Sequence, residues 1–299
     1  VRLFLTGATG YIGTAVAERL REAGHQLSGL ARSDEAVERL RAAGVEPVRG
    51  DFADPAAVDA AAREADGTIS MATTYKPAVD VPAVNALLAA LARSYKPFIY
   101  TGGIWSYGDT GGAVVDETTP VKPIPRVQWR EDVENRVLAA ATQGIRTVLI
   151  RPGIVYGRGG GMPAEFAESA RKEGAARMVG AGNNRWPFVH VDDLADLYLL
   201  ALEKAPAGTL LLAVTVASVR IRDVAVAASR GAGADGRVTA WPLEEARAEL
   251  GEYADALALD QQASGERARR TLGWRPHRPG PIEDLERGSY VSLARRAVS

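Results

Sequence analysis

The feature that most narrows what this chain can fold into lies at its start, where "RLFLTGATGYIG" runs from Arg2 to Gly13. Arg2 to Thr6 is a short apolar run of strand character. "TAVAERLREAG" continues from Thr14, and Ile12, Val16 and Leu20 recur at helical spacing. Gly7, Gly10 and Gly13 therefore fall on the strand end, the turn and the first helical turn. Gly7 allows the turn, Gly10 lets backbone approach a diphosphate, and Gly13 lets helix and strand pack closely. Amides left free at a helix start favour negative charge. This order of strand, glycine turn and helix makes the triplet a dinucleotide-binding signal, with Gly7, Thr9, Gly10, Tyr11, Ile12 and Gly13 as the contacts.

The alternation continues. "QLSGLA" ends at Ala31, and "VEPVRGD", "GTISMA" and "PFIYTG" read as further strands separated by helical runs. Apolar strands alternating with helices imply a parallel sheet covered on both faces, an α/β doubly wound Rossmann-type fold. The loops at the carboxyl ends of such strands form the ligand crevice. Asp51 and Phe52 are expected to flank the adenine. Met71, Ala72, Thr73 and Tyr75, with Thr101 to Gly103, are expected to face the reacting ring. Arg32 and Ser33 follow the second strand, where an acid would serve the ribose hydroxyls of NAD. A cation and a hydroxyl suit a ribose phosphate better, so NADP is favoured over NAD, and Asp34 keeps NAD open.

"GIRTVLIRPGIVYGRGGG" adds a sixth strand with an exit turn at Pro152-Gly153, and "GNNRWPFVHVDDLADLYLLALEKA" an extended run before a helix that Asp192 or Asp193 would cap. Residues 1–175 are expected to form the dinucleotide-binding domain, with a segment near 186–205 returning to it. Residues 176–299 are expected to form mainly a small α/β substrate domain. Helices are expected over Pro82 to Ser94 and Val127 to Gln143.

Composition removes several classes of function. The 299 residues are 46% apolar and 24% charged, with 36 basic and 37 acidic side chains. That balance offers nothing to nucleic acid or an acidic membrane. With no cysteine and three scattered histidines, no metal site is expected. No leader and no membrane span are apparent in the sequence, so a soluble cytoplasmic protein, monomeric or homodimeric, is expected.

"GATGYIG", "GD" at Gly50, "RPGIVYGRGG" at Arg151, "FVHVDDLA" at Phe188 and "ARRTLGWRP" at Ala268 together resemble the extended short-chain dehydrogenase/reductase superfamily, the NAD-dependent epimerase/dehydratase family. The resemblance runs through nearly the whole chain. It implies a nicotinamide cofactor, a small carboxy-terminal substrate domain and chemistry at a carbon bearing a hydroxyl or carbonyl. It adds Arg130, Pro152, Gly153 and Val155 to the expected cofactor contacts.

The same resemblance exposes a departure. The catalytic serine or threonine position falls on Gly103, and the tyrosine and lysine positions fall on Arg126 and Arg130. Guanidinium stays protonated near neutrality, so Arg126 cannot act as a general base. Arg130 keeps the capacity to hold a ribose or phosphate. Tyr107 is then expected in the cleft wall as the proton carrier, with Tyr75 second and Thr101 as an orienting hydroxyl. Gly103, Arg185 and Trp186 are expected to meet the substrate, with Asn183 and His190 near the domain junction. A small polar substrate that is oxidised or reduced fits this set. Epimerisation or dehydration of a sugar, and a cofactor-binding sensor without turnover, are the alternatives.

Overall fold

A computed structural model describes residues 1–291. Five parallel strands open the chain: β1 (Arg2–Thr6), β2 (Gln26–Ala31), β3 (Glu46–Arg49), β4 (Gly67–Ser70) and β5 (Pro97–Thr101). Between them lie α1 (Tyr11–Glu22), α2 (Asp34–Ala42), α3 (Pro55–Glu64) and α4 (Pro77–Leu91), and α5 (Arg130–Ala139) follows β5. Strands Arg146–Pro152 and Thr209–Ala213 complete a seven-stranded sheet. Its order is 209–213, 146–152, β5, β4, β1, β2, β3, and every neighbouring pair is parallel.

Successive strand side chains point to opposite faces, and both faces here are covered. Leu3, Leu5, Ile99, Val148 and Ile150 pack with Val16 and Leu20 of α1 and with Leu194 and Leu197 further on. Phe4, Phe98, Tyr100 and Leu149 point the other way, onto Val58, Leu87 and Val137 of α3, α4 and α5. Consecutive residues on one strand are thus all buried, which is why these strands read as continuous apolar runs. The strand order reverses beside β1, so the turn leaving β1 and the loops leaving β4 and β5 open onto one crevice.

A second core gathers Tyr156, Phe166, Met178, Trp186, Phe188, Ile221 and Val224. It includes α6 (Pro163–Glu173) and α8 (Ile221–Gly231), whereas α7 (Val191–Lys204) packs against the central sheet. Its four-stranded sheet is ordered 216–220, 185–190, 154–157, 160–161.

Four local expectations are corrected. Pro152-Gly153 is no exit turn: the chain passes from the central sheet straight into strand Ile154–Gly157 of the second one. A Cβ on Gly153 would lie 2.8 Å from the Pro187 carbonyl, so the crossing needs a residue without a side chain. The cap of α7 is His190, whose Nδ1 accepts from the Asp192 amide at 3.2 Å. Asp193 is buried instead and accepts the amides of His277 and Arg278. In addition, α4 begins at Pro77 rather than Pro82: Pro77 takes the first helical position, where an amide would have no intrahelical partner, and Pro82 lies inside the helix. The helix after Trp129 is likewise shorter than expected, Arg130 to Ala139, and continues as a 3₁₀ turn to Gln143.

The turn after β1 depends on two glycines. Gly7 has φ +76°, and a Cβ on Gly13 would lie 2.0 Å from the Gly7 carbonyl oxygen. Gly13→Ala must push α1 off β1, and overpacking of this kind costs about 1–3 kcal/mol. Urea unfolding of the variant should show a lower midpoint at unchanged slope; an unchanged midpoint would mean that helix and strand do not touch there.

Candidate functional site

The crevice contains a cavity of about 310 Å3. Tyr11 and Ile12 from the start of α1, Met71, Thr73 and Tyr75 after β4, and Thr101 and Gly103 after β5 form three of its sides. Arg130 of α5 and Pro152, Gly153 and Val155 close the fourth. The loops leaving four strands of the sheet thus meet where their sequence positions suggested.

The glycine turn fits a dinucleotide. No side chain caps α1, so the amides of its first turn face outward without an acceptor. A Cβ on Gly10 would meet only the Gly7 carbonyl, at 3.2 Å, leaving the space beyond it open. Gly7 lies against Ala72, whose amide nitrogen is 2.8 Å from a Cβ built there. Arg32 and Ser33 stand exposed at the end of β2, where the Ser33 hydroxyl also caps α2 by accepting from Ala36. Asp51 bends its loop by accepting the Ala53 amide at 2.9 Å, and Phe52 packs against the α3–α4 side of the core.

Tyr107 does not reach the cavity. It is 3% exposed, and its hydroxyl accepts from Arg151 Nη1 at 2.9 Å. Arg151 also donates to Glu134 through Nε at 3.0 Å and Nη2 at 2.6 Å. Burial raises the Tyr107 pKa, and Arg151 only partly opposes it. Burial also works against the Arg151 charge, but Glu134 and Tyr107 outweigh it and hold the guanidinium above its usual range. The sequence placed Tyr107 in the cleft wall because of its offset from β5. The 3₁₀ turn Ile104–Tyr107 rotates it toward Arg151 instead.

Tyr75 does line the cavity, on a backbone with φ 56°. A non-glycine residue held there costs about 1–3 kcal/mol, so the surroundings fix it in place. Thr73 accepts from Arg130 Nη2 at 2.8 Å and donates to Asp80 at 2.7 Å. Asp80 is 2% exposed and also accepts from the Thr74 amide and hydroxyl. Sequence reading missed Asp80 because starting the helix at Pro82 leaves it in a loop. Its signal was the pair of threonines just before it. Thr101 shares a 2.6 Å hydrogen bond with Tyr198, which is fully buried.

Arg185 and Trp186 are not brought to this cavity. Arg185 is exposed and donates to Ser218, while Trp186 is buried in the second core. His190 is buried as a cap, and burial lowers its pKa. Asp193, Asp196 and His277 lie close enough to share a cation, but Asp193 already accepts two backbone amides.

The Arg151–Glu134 pair is closed to water, with side chains 6% and 1% exposed. Removing one partner of such a pair strands a buried charge and costs about 3–5 kcal/mol, whereas apolar replacement of both costs far less. Glu134→Leu should therefore destabilise the protein more than the double variant Glu134→Leu/Arg151→Leu in urea unfolding. Additive losses would contradict the pairing.

Comparison with known proteins agrees with this geometry. Residues 3–213 match the NAD dependent epimerase/dehydratase family. An uncharacterized protein of Schizosaccharomyces pombe is 32% identical over 301 residues, covering 97% of this chain and 100% of the relative. The 2-alkyl-3-oxoalkanoate reductase of Stenotrophomonas maltophilia is 29% identical over 231 residues, 70% of this chain and 67% of that one. The fold is shared with UDP-glucose 4-epimerase of Thermotoga maritima, at a TM-score of 0.83 and 21% identity over 100% of both chains. With the strand order, the glycine turn and these likenesses together, the chain belongs to the NAD dependent epimerase/dehydratase family, within the extended short-chain dehydrogenases/reductases.

Proposed function

We propose that this protein is an NAD(P)-dependent oxidoreductase that interconverts a carbonyl and a hydroxyl on a small polar substrate, with Tyr75 as the group that exchanges the proton. The observation that carries this reading is the state of the cavity hydroxyls. Tyr11 donates to the Gly157 carbonyl at 2.8 Å, Thr101 is paired with Tyr198, and Thr73 lies between Arg130 and Asp80. Among the described residues, Tyr75 is the cavity tyrosine whose hydroxyl has no partner. A bound nicotinamide would supply or accept the hydride at the crevice. In the reducing direction the Tyr75 hydroxyl gives its proton to the carbonyl oxygen, and solvent restores it through the partly exposed side of the ring. Thr101 supports the wall beside it.

The open cavity favours turnover over a sensor, whose cleft would be filled by side chains. Similarity to a reductase that acts on 2-alkyl-3-oxoalkanoates supports the carbonyl reading. The later segments around the second core would complete the substrate pocket. NADP remains the favoured cofactor: Asp34, the acid that could serve the ribose of NAD, is ion-paired with Arg49, while Arg32 stands exposed beside it.

Two measurements test this. On a carbonyl substrate found by screening at the reduced-nicotinamide absorbance, Tyr75→Phe should lower kcat by about 10²–10⁴-fold, the usual worth of general acid catalysis, and leave cofactor affinity nearly unchanged. Tyr107→Phe should leave kcat within a small factor, and the opposite ranking would return the role to Tyr107. Calorimetry on Arg32→Ala should show NADPH weakened by about 1.5–3 kcal/mol, as for a charge-assisted contact, with NADH little changed. Equal losses would mean that Arg32 does not read a phosphate.

A further inference from the structure

Arg130 lines this cavity and Arg126 lies over the ring of its wall residue Tyr75, neither of them paired with a carboxylate. Arg130 is 5% exposed, and its side chain makes one hydrogen bond, from Nη2 to the neutral Thr73 hydroxyl at 2.8 Å. Its Nε is buried without a partner. Its Nη1 lies 3.6 Å from where a Cβ on Gly103 would sit, so it faces the space that the missing side chain leaves. Arg126 stands just ahead of α5, and its Nε is also buried without a partner. The guanidinium carbons of Arg126 and Arg130 lie 4.7 Å and 5.0 Å from the centre of the same Tyr75 ring.

The nearby acids are already used. Glu134 is held by Arg151, and Asp80 by Thr73 and Thr74. Among the described residues, no carboxylate comes within ion-pair distance of Arg126 or Arg130. Ring faces offset part of the cost of holding cations away from water, but an anion offsets far more. The planar fork of a guanidinium matches the two oxygens of a carboxylate, or those of a phosphate.

The surroundings indicate which molecule brings that anion. Arg126 also lies 5.6 Å from the ring of Tyr253. Tyr253 is 6.1 Å from Trp105, and Trp105 is 6.3 Å from Tyr75, ring centre to ring centre. This aromatic wall joins the loops after β4 and β5 to the helix Glu252–Ala258, whose Leu257 packs on the second core and not at the glycine turn. Resting on the oxidoreductase reading above, we propose that Arg126 and Arg130 receive an oxyanion carried by the substrate, and that the substrate is a carbonyl compound bearing a carboxylate. The residues that replace the tyrosine and lysine of the family pattern then have recognition, not proton transfer, as their task.

Malonate serves as the probe, with its neutral diamide, malonamide, as the control. Calorimetric titration of the full chain should show saturable malonate binding, retained when NADPH is saturating, and none for malonamide. Arg126→Gln and Arg130→Gln should each weaken malonate at least about tenfold, as expected for loss of a charge-assisted contact. Arg126→Lys, which keeps the charge, should recover part of the loss in a folded protein. Malonate binding abolished by NADPH would assign the anion to the dinucleotide and overturn the proposal, as would absent binding or equal binding of malonamide. Binding is read without turnover, so malonate held by a chain that reduces no carbonyl would support this site and remove the oxidoreductase reading alone.

Discussion

The contact on which the site depends is the ion pair between Glu134 and Arg151, 2.6 Å apart and shut away from water. It ties α5 to the strand Arg146–Pro152, and so fixes how the start of that helix meets the crevice. Gly102 shows how tight the fit is: a Cβ there would lie 2.3 Å from Glu134 Oε1. The pair also engages Tyr107 and, at 3.5 Å, Ser106, so the segment after β5 is drawn onto it. With Glu134 fixed, Arg130 one turn earlier projects over Gly103. The cavity owes its shape to a charge pair that never touches its contents.

Much of the architecture was legible in the sequence because it rests on local chemistry. A strand that runs through a glycine turn into a helix has few ways to fold, and unbroken apolar strands require two covered faces. The position of the crevice followed from those two facts. What was not legible depends on rotation about single turns and on long-range pairing. Tyr107 carries the right offset from β5, yet the 3₁₀ turn aims it at an arginine distant in sequence. Asp80 acquires its role only once the helix starts at Pro77, which places it against two threonines. His190 caps α7 in place of the more usual aspartates, because Asp193 is needed by the closing segment near His277.

Arg126 and Arg130 bring two fixed positive charges to the Tyr75 ring at the wall of the site. A phenol and an amine can exchange a proton and tune it; two guanidinium groups cannot. Both lie over the ring of Tyr75, whose hydroxyl has no partner among the described residues. Strain at the Tyr75 backbone agrees with a side chain kept in place for use, since φ 56° is costly for a tyrosine.

The most direct test is a crystal structure with NADP⁺ and a carboxylate-bearing hydroxy product both bound. The account predicts the Tyr75 hydroxyl at about 2.6–3.2 Å from the reacting oxygen, the reach that proton transfer requires, with Tyr107 still on Arg151. A ternary complex in which Tyr107 has left Arg151 to meet that oxygen, or in which Tyr75 points away from it, would contradict the account.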